Sequence, residues 1–293
     1  VNQPPAVQPL LTIITVVRDA PIDFATTLAS VSGQELAGVE YLVVDSSNDR
    51  TAIANQLADH EATYLWVPAA GIYSAMNAGL AAASGDYVLF LNAGDTLSDP
   101  VVFSEIKRIL RHQAPVWLYA EVQMTDSLGQ VKQTPQWDYQ TEQHLFFSRG
   151  HFPCHQGTFT RREILLELGG FDTSYEIVAD YVAFLKLSKI AAPVHLPKTV
   201  AVFQPGGVSS DRWRAAIGEF HRARREVLAP TGISALREQF ETLALLTKTA
   251  AYRNLWAPGR IAHPLVSRFR RAGMGSQFAP IPLAGDESGR RAH

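Results

Sequence analysis

Leu10-Leu-Thr-Ile-Ile-Thr-Val-Val17, followed at once by Arg18-Asp-Ala-Pro21, decides the fold. An apolar, β-branched run without alternation marks a strand buried on both faces. Working outward, residues 23–32 take helical spacing, and Val39-Glu-Tyr-Leu-Val-Val-Asp45 reads as a second buried strand. Residues 51–60 form a short helix and residues 63–67 a third strand. Residues 71–83 form an Ala-rich helix, and residues 86–91 a fourth strand. Strands alternating with helices predict an α/β fold with a mostly parallel, Rossmann-like central sheet and right-handed crossovers. Ligands in such sheets lie outside the carboxyl ends of the strands. Those ends are Arg18-Asp19, Asp45-Ser46, Pro68-Ala69 and Asn92 to Asp95.

Beyond Pro100 the pattern changes. Residues 101–112, 161–168, 177–188, 211–228 and 234–255 read as helices. Residues 116–124, 131–133, 146–147 and 193–203 read as strands. Residues 1–9 form an N-terminal arm, 10–99 a ligand-binding half, 100–210 a second half, 211–263 C-terminal helices and 264–293 a flexible tail. The 293 residues suffice for a large core without disulfides. A hydrophobic fraction of 46% and a charged fraction of 18% describe a globular chain. The net charge of −2 gives no footprint for nucleic acid. The single cysteine, Cys154, excludes an intrachain disulfide framework and a multi-cysteine zinc site, and reads first as a small, semi-buried residue. No apolar run approaches the roughly 18 residues of a spanning helix. The expectation is a cytoplasmic protein, or one that touches the inner face of the cytoplasmic membrane from the side.

Two constellations carry chemistry. In Leu89-Phe-Leu-Asn-Ala-Gly-Asp95 a buried strand ends in a small-residue turn with a carboxylate at its tip. Such a carboxylate suits a hard divalent cation set against a diphosphate. Gly94 and Ala93 let the backbone approach a bulky ligand. The competing reading is an ordinary turn in which Asp95 or Ser98 caps the next helix. The second constellation is Cys154-His-Gln-Gly157, Gly169-Gly-Phe-Asp172 and Tyr175-Glu-Ile-Val-Ala-Asp180-Tyr181. Asp180 opens a helix, so it either caps that helix or acts as a general base toward a hydroxyl nucleophile. Gly169-Gly170 reads as a helix C-terminus. The dinucleotide-binding glycine fingerprint, the Walker loop and the Gly-x-Ser-x-Gly elbow are all missing.

These blocks, in this order, resemble the family 2 glycosyltransferases of GT-A fold, in particular the small bacterial enzymes of polysaccharide and glycolipid assembly. The resemblance covers residues 10–210, including Gly71-Ile-Tyr-Ser-Ala-Met-Asn-Ala-Gly79. It implies a nucleotide-sugar donor, a saccharide or lipid-linked acceptor, a divalent cation (Mn2+ or Mg2+), and inversion in a single displacement. It places Thr15, Val17, Arg18, Asp45, Gly71, Tyr73, Asn77, Asn92, Ala93, Gly94 and Asp95 at the donor. Asp95 is the implied metal ligand and Asp180 the implied general base. His155, Gln156, Asp172 and Tyr181 are placed at the acceptor or sugar pocket.

Three departures stand out. Asn92 replaces an acid that many members carry. Ala70 and Ser74 stand where close relatives often have acids. Ser209 occupies the glutamine position of the processive Gln-x-x-Arg-Trp motif ahead of Arg212-Trp213, so one sugar is expected per encounter. Asn92 and the altered Gly71 block motivate an alternative, a catalytically weakened nucleotide-sugar-binding protein. The C-terminal stretch from Arg222 to Arg271 interleaves arginines with apolar residues. It reads as solvated helices, with a homodimer contact as one variant, or as a peripheral contact with an anionic bilayer.

Overall fold

The computed structural model describes residues 8–125, 130–134, 137–142, 147, 152–203 and 212–255. The first half follows the predicted alternation: β1 Leu11–Val17, α1 Pro21–Ser32, β2 Val39–Asp45, α2 Arg50–Ala54, β3 Thr63–Trp66, α3 Ile72–Ala82 and β4 Tyr87–Phe90. β3, β2, β1 and β4 pair side by side and in parallel. The expected helix over 51–60 is shorter: α2 ends at Ala54 and tightens into a 3-10 turn over Asn55–Leu57.

The second half adds β5 Thr96–Leu97, α4 Pro100–Gln113, β6 Trp117–Thr125, β7 Val131–Gln133, α5 Tyr139–Glu142, β8 Thr158–Arg161, α6 Arg162–Glu167, α7 Ala179–Ile190 and β9 Val194–Phe203. α8 Trp213–Leu228 and α9 Gly232–Leu255 close the described chain. Among the described residues the strands form one nine-stranded sheet in the order β3-β2-β1-β4-β8-β6-β9-β5, with β7 on β6. The two halves share this sheet, because β8 pairs antiparallel with both β4 and β6. Neither β5 nor β8 was expected. A strand was expected at 146–147; Phe147 instead lies in a turn with φ 63°, and Phe146, Ser209 and the tail over 264–293 lie outside the described residues.

β1 shows why an unbroken apolar run suits the centre of the sheet. Ile14 and Val16 point into a core shared with α3, α7 and α8, whereas Leu11, Ile13 and Val17 point into one shared with α1 and α4. Every residue of β1 is buried. At the end of α6, Gly169 and Gly170 take φ of 85° and 70°. Their N–H groups donate to Leu166 O and Leu165 O at 2.9 Å each. This is the predicted helix C-terminus, closed by the left-handed glycine pair.

Candidate active site

The site begins where β4 ends. Leu91 N donates to Ile14 O (3.0 Å) and Ala93 N to Val16 O (3.1 Å), so the chain stays tied to β1 as it enters the turn. Gly94 adopts φ 98°, a conformation that favours glycine. The turn closes on itself: Asp95 N donates to Asn92 O (3.0 Å), and Asn92 N to Asp95 Oδ2 (3.2 Å). It is braced from α1 by Thr27, whose hydroxyl accepts from Gly94 N (2.9 Å) and donates to Asp95 O (2.8 Å). Neither Asp95 nor Ser98 caps α4. Asp99 does, accepting from Val101 N at 2.8 Å.

Asp95 is 5% exposed, and its Oδ2 also accepts from Gln156 Nε2 at 3.2 Å. Gln156 and His155 belong to a 3-10 turn, His155–Gly157, that leads into β8. His155 bridges the two constellations. Its Nδ1 lies 3.1 Å from Asp180 Oδ2, and its Nε2 lies 3.0 Å from Asn92 Nδ2. With Asp180 ionised, Nδ1 carries the proton and Nε2 accepts from the Asn92 amide. That leaves Asn92 Oδ1 buried without a hydrogen-bond partner.

Asp180 stands in the first turn of α7 and is not its cap; Val178 holds that position. Asp180 Oδ1 accepts from Tyr181 N (2.9 Å) and from the Tyr73 hydroxyl (3.0 Å), which also reaches Ile177 O (2.7 Å). Burial, and then the Asp180 charge, hold the Tyr73 hydroxyl well above its ordinary pKa, so it stays a donor. The Asp180 and His155 side chains are each 16% exposed. Tyr73, Asn92, Asp95, His155, Gln156 and Asp180 thus form one hydrogen-bonded chain. Tyr181 is buried beside it, its hydroxyl donating to Phe147 O.

Other expected site residues lie elsewhere. Asp172 stands apart from this cluster. It accepts from Ser174 N (3.0 Å) and lines a separate cleft with Tyr175, Lys186, Lys189 and Glu226. Burial pushes its carboxyl up, but the Ser174 hydrogen bonds and the charges of Lys186 and Arg222 outweigh this and hold it low. Asn77 was expected at the donor. Its amide instead brackets Phe171, accepting from Phe171 N and donating to Phe171 O at 2.8 Å each.

Thr15 and Asp45 are 0% exposed and Val17 4%. Both Asp45 oxygens have donors, Ser47 N and the Tyr64 hydroxyl, each at 2.8 Å. These three residues form the floor beneath the strand ends. The exposed groups above it are Arg18, paired with Asp19 at 3.7 Å, and Gly71 ahead of α3. Asp19 was read there as part of a strand end, and three further residues, Asn48, Arg50 and Trp66, escaped the sequence reading. Asp19 sits at φ 51° and binds Asn48 through its backbone N–H (2.9 Å) and amide (3.0 Å). The Arg50 guanidinium lies 3.4 Å over the ring of Trp66, the last residue of β3. Their position at the strand ends was the available signal.

Burial, and then the charges of Asp180, Asp95 and Glu121, push the Cys154 thiol up to about 12. That matches the small, semi-buried reading and not a nucleophile. Among the described residues no three His, Cys, Asp or Glu side chains gather as a metal cage. A hard cation that shares a diphosphate needs only one or two protein oxygens. The Asp95 carboxylate and the orphaned Asn92 Oδ1 supply such a set. Among the described residues no helix is long and apolar enough to cross a membrane.

Known proteins share this fold. The solved structure of TarS residues 1–349 from S. aureus with UDP superposes with a TM-score of 0.59 at 13% identity, over 80% of this chain and 70% of that one. The mannosyltransferase PcManGT from Pyrobaculum calidifontis, in complex with GDP-Man and Mn2+, gives 0.59 at 16%, over 93% and 82%. At these identities the likeness establishes the GT-A fold. Among curated relatives, an uncharacterized glycosyltransferase of Mycobacterium tuberculosis is 26% identical over 227 residues, 73% of this chain and 85% of the relative. The O-antigen biosynthesis protein RfbC of Myxococcus xanthus is 28% identical over 243 residues, 78% of this chain but 19% of that protein. The sequence model described as "Glycosyl transferase family 2" matches residues 12–169, more than half of the 293 residues. The chain belongs to that family and is a glycosyltransferase.

Proposed function

We propose that this chain transfers one sugar from a nucleotide-sugar to a saccharide or lipid-linked acceptor, with inversion and with a divalent cation. The observation that carries the reading is the His155 bridge, which joins Asn92, beside Asp95, to Asp180. The donor lies across the ends of β1 to β4 with its diphosphate toward Asn92 and Asp95. Asp95 and Asn92 Oδ1 hold the cation, which neutralises the diphosphate leaving group when bound. The acceptor oxygen attacks the anomeric carbon from the face opposite the diphosphate. As the new C–O bond forms, the bond to the diphosphate oxygen breaks and the acceptor proton passes to Asp180. Tyr73, Tyr181 N–H and His155 fix the carboxylate for that transfer. For a lipid-linked acceptor, the apolar residues exposed along α9, Ile233, Leu236, Phe240 and Leu243, suit peripheral contact with a bilayer.

The test is a panel of nucleotide-sugars with and without Mn2+, read by thermal shift and by product formation. Asp180→Asn is expected to lower kcat by about 100- to 10,000-fold at unchanged donor affinity. Asp95→Asn is expected to abolish the effect of Mn2+ on donor binding. An Asp180→Asn rate equal to wild type refutes the base assignment. Donor binding without turnover in the wild type, against a full acceptor panel, favours the binding-protein alternative.

A further inference from the structure

The sequence matched by the family model ends at residue 169, before α7 and well before α8. Yet α8 reaches the segment that carries Asp180. α7 has Val178 at its N-cap and no side-chain cap of its own. Helix starts leave backbone N–H groups that need acceptors. Glu219 of α8 supplies acceptors to the segment that leads into the helix, as far as the N-cap N–H. Its Oε1 accepts from Glu176 N at 3.0 Å, and its Oε2 accepts from Ile177 N at 2.9 Å and Val178 N at 3.2 Å. A carboxylate at this position also complements the positive end of the helix dipole. On the other side, the Tyr73 hydroxyl shares its one proton between Ile177 O at 2.7 Å and Asp180 Oδ1 at 3.0 Å. Residues 176–178 are therefore clamped between α3 and α8, and Asp180 follows two residues later.

We propose that Glu219 is a positioning residue for the transfer reaction: by holding three consecutive N–H groups ahead of α7, it sets the place of the Asp180 carboxylate against His155 and the acceptor. The inference rests on Asp180 being the general base. It makes the C-terminal helix part of the catalytic frame. Glu219 touches neither donor nor acceptor, so its loss acts on kcat and spares donor KM. Placing a catalytic group wrongly by about 1 Å costs on the order of 100-fold.

The experiment measures kcat and donor KM for the full chain carrying Glu219→Ala, Glu219→Gln, Asp180→Asn and the Asp180→Asn/Glu219→Ala pair, with folding checked by circular dichroism. Glu219→Ala is expected to lower kcat about tenfold or more, with donor KM within about twofold of wild type. Glu219→Gln, which keeps one acceptor oxygen and sets an NH2 against a backbone N–H, is expected to fall between. In the Asp180→Asn background the added Glu219→Ala is expected to change nothing further, because a residue that acts through Asp180 has nothing left to position. A folded Glu219→Ala with wild-type kcat overturns the inference, as does a full multiplicative loss in the double variant. Where Glu219→Ala does not fold, Glu219→Gln decides: a threefold or larger fall in kcat at constant donor KM supports it, and a wild-type rate overturns it. An Asp180→Asn enzyme at wild-type rate would instead sink the base assignment, an outcome distinct from a slow Asp180→Asn beside an unaffected Glu219→Ala.

Discussion

Gly157 offers a sharp test of how the site is held. It ends the turn that carries His155 and Gln156, and a Cβ built on it lies 2.6 Å from both Ala120 O and Val122 Cγ2 of β6. Ordinary contact starts near 3.4 Å, so Gly157→Ala is about 0.8 Å short of room. Ala120 O cannot retreat cheaply, because β6 is pinned between β8 and β9. The turn must move instead. Overpacking of this kind costs about 1–3 kcal/mol. In a chain of this size that is a fall in Tm of about 2–10 °C. The loss of activity is expected to be larger than the loss of stability implies. His155 and Gln156 shift with the turn, and their contacts to Asp180 (3.1 Å), Asn92 (3.0 Å) and Asp95 (3.2 Å) have little slack. A displacement of most of an ångström is expected to lower kcat about 10- to 100-fold at a temperature where the variant is fully folded. Thermal melts and steady-state transfer rates on the same preparations check this. A variant with wild-type kcat, whatever its Tm, refutes the claim that the His155–Gly157 turn sets the catalytic geometry.

Asn77→Ala strands the Phe171 N–H and C=O and is expected to cost about 1–3 kcal/mol in denaturant unfolding while leaving donor KM unchanged; a selective loss of donor binding would return Asn77 to the donor site. Cys154, its thiol at about 12, is expected to react with iodoacetamide at pH 8 at least a hundredfold more slowly in the folded protein than in urea, and equal rates would refute its burial. Burial lifts the hydroxyls of Tyr41 and Tyr181 to about 12. The folded state then keeps protons that the unfolded chain releases near pH 10. This contribution to stability is intact below about pH 10 and is lost as the pH rises toward 12. Phenolate absorbance at 295 nm is expected to rise together with unfolding in that window, and phenolate formation in a still-folded protein would contradict it.

The parallel half of the sheet was legible because burial on both faces forces long apolar runs such as 10–17 and 39–45. β8 was not, because Thr158-Phe-Thr-Arg161 has one large apolar residue and borrows its stability from β4 and β6. The two residues of β5 carry no periodicity at all. The same limit applied to the site. Asp95, His155 and Asp180 were each visible as polar residues at chain positions that resemble family motifs. Their meeting was not visible, because it depends on the antiparallel entry of β8, which carries the 155–157 turn between the end of β4 and the start of α7. Thr27 and Glu219 gave no signal. A threonine inside a helix and a glutamate on an amphipathic helix read as ordinary until their partners, the Asn92–Asp95 turn and the 176–178 segment, are in place.

Asn92 first drew notice as a missing acid and as grounds for a weakened site. Its surroundings argue otherwise. His155 Nδ1 faces one carboxylate, Asp180, and Nε2 faces the Asn92 amide. A carboxylate at 92 would ask Nε2 to donate as well, so His155 would need protons on both nitrogens. It would also bring another negative charge to a cluster that already holds Asp95 and Asp180. The amide satisfies a neutral imidazole, and in doing so it turns Oδ1 away with no partner. A buried carbonyl oxygen without a donor is costly unless something electropositive meets it. In the proposed reaction that is the cation at the diphosphate. In the proposed reaction Asn92 is then one device with two ends: its NH2 fixes the proton on His155 toward Asp180, and its partnerless oxygen is the one that would meet the cation.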